Sequence, residues 1–320
     1  MFDLIKKTRA FALLEQDIKK QRLAHAYMFV CPDSESLDTL EQLFLAQYLF
    51  GNTDSVTLSR VMEGRIADLV RLPRGEKVLV SDIEEMLDTV YFTPTENDRK
   101  FYIINKFETA NPASQNKMLK ILEEPPKSVM IILKSTTNTN VLPTISSRVR
   151  TIEIEPIDEN VITDMLIEHF DETKKTFVAS ALSGGYPQRA MSIMRGKKEY
   201  EMFESVMQTM EEMKSSKQIL PHSAKLVAYK DDLSKVIDII EIILSDCMRV
   251  STGAQTQLRL RASVREIMSL SKDYTAEVVL RLKEHLHHAR ERLKLNGNAQ
   301  SILDELLFKM LEVKAQCRKL

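Results

Sequence analysis

The 320-residue chain contains no tryptophan and only eight glycines. Glycine is what a phosphate-cradling loop is built from, since successive backbone N–H groups turn inward most readily where there is no Cβ. No segment joins a glycine-rich turn to a closing lysine, so this chain is not expected to bind and hydrolyse a nucleoside triphosphate by itself. The three cysteines, Cys31, Cys247 and Cys317, are far apart and form no CxxC pair, which excludes a disulfide framework and a cysteine-based zinc site. An excess of one charge is also missing: 45 basic residues face 46 acidic ones. No overall field draws the chain to DNA or to an anionic membrane, and any nucleic-acid contact must be local or shared with partners. No apolar run approaches the roughly 20 residues of a membrane span. Met1 to Ala10 carries Asp3, Lys6, Lys7 and Arg9 where a secretion signal would be apolar. A cytoplasmic protein in a reducing compartment is expected.

What is present divides in two. From about residue 25 to 155, short apolar runs alternate with helical periodicity. Tyr27–Val30 and Phe101–Ile104 read as buried strands and Val129–Leu133 and Thr151–Ile154 as two more strands, with a further extended stretch at Lys77–Val80. Leu37, Leu40, Phe44 and Tyr48 fall at helical spacing, and Ser81-Asp-Ile-Glu84 has the form of a capping box. Asn111-Pro112 opens a helix that Pro125-Pro126 must stop. Strands alternating with helices predict an α/β domain with a parallel sheet. Beyond Ile157 the strand signal disappears. Short helices and a Ser183-Gly-Gly-Tyr-Pro187 turn follow, then long helices with apolar stripes such as Leu233, Ile237, Ile240, Leu244 and Cys247.

In such a sheet the turn after the first strand is the natural phosphate site. Here that turn, Cys31 to Leu37, holds Asp33 and Glu35, with Asp38 one turn on. These carboxylates satisfy the helix dipole themselves and repel a polyphosphate. The strand ending at Ile104 leads into Asn105, where a magnesium-holding aspartate would be needed. Glu108 remains, but a single glutamate in a surface turn reads as a solvated charge before it reads as a catalytic base.

The most specific pattern is Ala113 to Pro126, ending in Leu122-Glu-Glu-Pro-Pro126, followed by Pro143-Thr-Ile-Ser-Ser-Arg-Val149. It resembles the AAA+ module of bacterial clamp-loader subunits, as do His25-Ala-Tyr27 and Asn296-Gly-Asn298. The likeness runs in order along nearly the whole chain. The missing phosphate loop places it with the delta-prime branch of that family, ahead of the ATP-hydrolysing gamma/tau branch. The resemblance implies a degenerate, P-loop-NTPase-like AAA+ domain over residues 1–156, a small helical lid over 157–202 and an all-α collar domain over 203–320. It implies a stator that needs no cofactor or metal and has no catalysis of its own. Gamma/tau and delta would be its partners within the DNA polymerase III holoenzyme, with the beta sliding clamp and primer-template DNA reached through the complex.

The family's Ser-Arg-Cys motif falls on Ser147-Arg148-Val149, the cysteine being replaced. By the resemblance, Arg148, with Ser147 beside it, reaches into a neighbour's ATP site. A guanidinium is permanently charged and presents a planar fork that fits phosphate oxygens. Taken without the flanking pattern, Arg148 would be read as pairing with a local acid such as Glu153 or capping a helix. The family's four-cysteine zinc module has no counterpart between Gly51 and Asp68. Thr136-Thr-Asn138, at the phosphate-sensing position, reads as turn hydrogen bonding, and Arg189, at a lid position, reads as structural. His285, His287 and His288 lack a further ligand, Arg259, Arg261 and Arg265 read as surface, and Met202, Met207, Met210 and Met213 read as core or interface filler. An ATP-hydrolysing motor, a delta-type clamp opener and a helical scaffold outside replication are the competing readings.

Overall fold

Five short strands, β1 (Ala26–Val30), β2 (Leu69–Leu72), β3 (Lys100–Ile104), β4 (Val129–Ser135) and β5 (Arg150–Glu153), pair in parallel in the order β2-β3-β4-β1-β5. In this computed structural model, which describes residues 2–64 and 66–317, the sheet belongs to the first of two units. That unit runs to Ile157 and takes in Tyr186–Arg189. Parallel strands need crossover helices, and those helices bury both sheet faces, which is why all seven residues of β4 are buried.

The period of two divides β1 between the faces. Tyr27 and Phe29 pack with Leu40 and Phe44 under α1 (Phe2–Lys6), α2 (Arg9–Lys19), α3 (Ser34–Phe50) and α4 (Ser55–Met62). Met28 and Val30 pack on the other face with Ile83, Met118 and Ile145 of α5 (Val80–Thr89), α6 (Pro112–Glu123) and α7 (Pro143–Ser146). Each large side chain so buried contributes about 1.5–3 kcal/mol. Asn111 caps α6 by accepting from Ser114 N at 2.8 Å, and the helix ends ahead of Pro125.

The stretch expected at Lys77–Val80 is not a strand. The second strand is Leu69–Leu72, on the sheet edge, where Arg71 can stay exposed and Pro73 ends the pairing. Val78 is buried as a plug, with its N–H held by Thr109 Oγ1 at 2.9 Å. The helix then starts at Val80, its cap being Asp82, which accepts from Leu79 N at 2.7 Å.

Asp68, immediately before β2, anchors the loop that leads to β3. It is only 2% exposed and accepts from the backbone N–H groups of Thr95 (2.6 Å), Glu96 (2.8 Å) and Asn97 (2.8 Å) and from Asn97 Nδ2 at 3.1 Å. Burial pushes its pKa up, but these donors outweigh burial and bring it from 3.8 to about 2. The folded value lies below the unfolded one, so the stabilisation is complete above about pH 4 and disappears as pH falls through about 2. Asp68→Asn should therefore destabilise the chain at pH 7 and matter progressively less towards pH 2. Denaturant unfolding at a series of pH values measures this, and a pH-independent difference would contradict it.

The second unit holds Asp158–Gly185 and the chain from Ala190 onward. Its helices are α8 (Glu159–His169), α9 (Lys174–Ser183), α10 (Pro187–Arg195, whose first turn falls in the first unit), α11 (Lys198–Glu212), α12 (Ile219–Val227), α13 (Leu233–Ser251), α14 (Val264–Leu270), α15 (Ala276–Lys294) and α16 (Ala299–Cys317). The stripe from Leu233 to Cys247 on α13 is buried throughout, as are Met202, Met207, Met210 and Met213. Arg259, expected at the surface, is instead a tie between α8, α9 and α13. It donates to Glu159 Oε2 at 3.0 Å and to the Ala181 carbonyl, and its backbone N–H donates to the fully buried Asp246. The turn into α16 requires glycine at 297, where a Cβ would lie 2.8 Å from the Arg292 carbonyl.

Candidate functional site: a self-neutralised cleft and an exposed arginine

The helix following β1 covers one sheet face and the helix following β3 covers the other. This divergence opens a crevice at the carboxyl ends of the strands, the usual ligand position in an open parallel sheet. A cleft of about 490 Å³ lies there, lined by residues of α3 and of the ends of β2, β3 and β4.

Its chemistry is set by α3. Asp33 caps the helix, accepting from Ser36 N at 3.1 Å and Ser36 Oγ at 2.6 Å. The helix N-terminus thus carries its own carboxylate where an anion would bind. Burial pushes the Cys31 thiol up to about 12, which rules it out as a thiolate nucleophile at neutral pH. Further along α3, Glu41 is buried. Lys134, at the end of β4, donates to Glu41 Oε2 at 2.6 Å and also to Asp38, while Arg71 Nη2 donates to Glu41 Oε1 at 2.8 Å. Only 5% of the Lys134 side chain and 3% of the Glu41 side chain are exposed, so each charge depends on the other for what water no longer supplies.

Asn105, Glu108 and Thr136, which also line the cleft, are engaged as well. Asn105 stitches β3 to β2, with both its backbone N and Nδ2 donating to the Leu72 carbonyl. Glu108 is not the solvated charge expected from its turn. Its carboxylate accepts from Ser135 Oγ at 3.1 Å, Thr136 N at 3.1 Å and Thr136 Oγ1 at 2.8 Å. Thr136 thus serves the turn. Gln188 donates to Thr39 Oγ1 at 2.6 Å. Burial, with Cys31, Glu153 and Asp33 nearby, pushes the Tyr186 hydroxyl up to about 12.

Arg148 follows α7, close to the start of β5. Its Nη1 donates to the Thr144 carbonyl at 2.9 Å and to Ser147 Oγ at 3.2 Å, and its Nη2 pairs with Glu123 Oε1 at 2.7 Å. The acid beside it is therefore Glu123, at the end of α6, and not Glu153. Ser147 is exposed, its hydroxyl donating to the Thr144 carbonyl at 3.2 Å. His287 and His288 are exposed on α15. The sequence reading missed Lys134, Glu41, Arg71 and Glu123. A lysine ending the apolar run of β4 was the available signal, whereas Glu41, between Leu40 and Gln42, does not stand out from its neighbours.

A five-stranded parallel sheet of this order, with a crevice at its strand ends and a helical region behind it in sequence, defines an AAA+-type module. The model described as DNA polymerase III, delta subunit, matches residues 6–158, and the corresponding C-terminal model matches residues 198–312. DNA polymerase III subunit delta' of Bacillus subtilis is 24% identical over 318 residues, spanning 95% of this chain and 96% of that protein. Subunit tau/gamma of Haemophilus influenzae is 26% identical over 187 residues, but this stretch is only 27% of its length. Among solved structures, a DNA polymerase III gamma subunit-related protein of Thermotoga maritima superposes with a TM-score of 0.52 at 17% identity, covering 95% of this chain and 99% of its own. The chain belongs to the DNA polymerase III clamp-loader subunits of the delta-prime type. No helix among the described residues is long and apolar enough to cross a membrane.

Proposed function

We propose that this chain is the stator of a bacterial clamp loader. It binds no ATP of its own, holds gamma/tau and delta subunits in a ring and, with Ser147 beside it, presents Arg148 to the ATP site of a neighbouring gamma/tau subunit. The complex would work in the cytoplasm, using ATP to place the beta sliding clamp on primed DNA. In this reading residues 157–202 act as a lid and residues 203–320 as the collar that joins sister subunits.

The observation that carries the first part is the Lys134–Glu41–Arg71 cluster. A phosphate site offers cations with unspent charge and N–H groups with unspent donors. Here Lys134 and Arg71 are already matched by Glu41 and Asp38, and Asp33 occupies the helix N-terminus. A polyphosphate entering the cleft would have to break buried ion pairs and then face carboxylates. The isolated chain titrated with a fluorescent ATP analogue should therefore show no saturable signal up to millimolar nucleotide. Saturation in the micromolar range would overturn the proposal in favour of a motor subunit.

The second part rests on Arg148. It lies within the pattern that ties the chain to its family, just after α7, with its side chain 35% exposed. Such a group can stabilise charge that develops on a γ-phosphate belonging to another subunit.

A further inference from the structure

We infer that Glu123 is a parking carboxylate that withholds Arg148 from the neighbour's phosphate until the assembled complex is engaged. The inference rests on the trans role proposed for Arg148 and assigns that site its regulation.

The two edges of the guanidinium are used differently. Nη1 is held by the Thr144 carbonyl at 2.9 Å and by Ser147 Oγ at 3.2 Å, contacts within the short α7 segment that carries the arginine. These contacts aim the side chain and can persist while it works. Nη2 is taken by Glu123 Oε1 at 2.7 Å, from a different helix, 25 residues earlier in the chain. A phosphate approaching Nη2 meets this carboxylate, and because two anions on one nitrogen repel each other, its binding favours displacement of Glu123.

The strength of the contact suits a parking role. Half of the Glu123 side chain is exposed, and an exposed pair of this kind shifts an equilibrium by no more than about fivefold. That is enough to keep a long, flexible arginine out of an empty or loosely closed neighbouring site. It is too little to compete with a nucleotide phosphate held firmly in a closed one, where the fork gains charge-assisted bonds to more than one oxygen. Glu123 therefore taxes Arg148 most in the resting complex and least in the engaged one. A positioning residue that merely aimed the arginine would help in both states.

The test is steady-state ATPase of the complex reconstituted with gamma/tau and delta, with and without clamp and primed DNA. Glu123→Gln keeps the shape and removes the charge. It should raise the resting rate about two- to fivefold and leave the stimulated rate within a factor of two, with Glu123→Asp close to wild type. An unchanged or lowered resting rate would overturn the inference, and so would a rise that persists in an Arg148→Ala background. Failure of the underlying reading has a different signature, since Arg148→Ala alone would then leave both rates unchanged. Thermal unfolding of the Glu123→Gln chain within a few degrees of wild type guards against a folding defect.

Discussion

Arg148→Ala in a fully assembled complex is expected to slow hydrolysis at the bordering ATP site by about 10³-fold or more, the range in which arginine fingers act on phosphoryl transfer. The reason is geometric as well as electrostatic. A guanidinium places two parallel donors on a spreading charge, whereas an ammonium places a point charge. Arg148→Lys should therefore recover only a small part of the loss. Since Arg148 is part-exposed and pairs with a half-exposed acid, its removal should cost the isolated chain less than about 1 kcal/mol of stability. Loss of ATPase with an unaltered unfolding midpoint and unaltered assembly is the expected combination, read by stimulated ATPase, thermal unfolding and size-exclusion chromatography. Unfolding at a lower temperature in step with lost activity would instead assign Arg148 a structural role.

Lys134→Met should have the largest effect on stability. It leaves Glu41 buried with only Arg71 for company, and breaking a buried pair from one side costs about 3–5 kcal/mol. Arg71 stays in place and is 36% exposed, so the lower end of that range, about 3 kcal/mol, is expected, lowering the midpoint of the α/β unit by roughly 6–12 °C. Removing both charges is a different matter. Lys134→Met combined with Glu41→Leu buries no orphaned ion, and Arg71 can turn to water, so most of the loss should be recovered. A double-mutant cycle followed by thermal unfolding measures this. Additive losses would contradict the picture of a self-neutralised cluster.

The sheet strands were legible because a parallel strand buried on both faces needs a continuous apolar run, and Tyr27–Val30, Phe101–Ile104 and Val129–Leu133 supply one. The edge strand β2 was not, because there Arg71 interrupts the run and Pro73 ends it, whereas the other edge strand, β5, was read at Thr151–Ile154. The same holds at the site. The absence of a phosphate loop could be read from residue types alone, and so could the Asp33 cap. What replaces the loop could not be read. Lys134 and Glu41 lie 93 positions apart, and only the pairing of β4 with β1 sets the end of β4 beside the helix that follows β1. Arg148 and Glu123 are a similar case, since both belong to the recognisable pattern while their contact depends on how α6 and α7 pack on the same sheet face. Arg259 was misplaced for the same reason, its partner Glu159 being 100 positions away.

In the proposed role the chain's own cleft takes no nucleotide and its chemistry lies in a neighbour's site. The most direct measurement is single-turnover ATP hydrolysis in a complex in which the gamma/tau site bordering this chain is the only one left able to hydrolyse, comparing wild type with Arg148→Ala at equal nucleotide occupancy. Bound ATP should persist in the variant, with hydrolysis slowed by about 10³-fold. Hydrolysis at the wild-type rate in a properly assembled Arg148→Ala complex would contradict it.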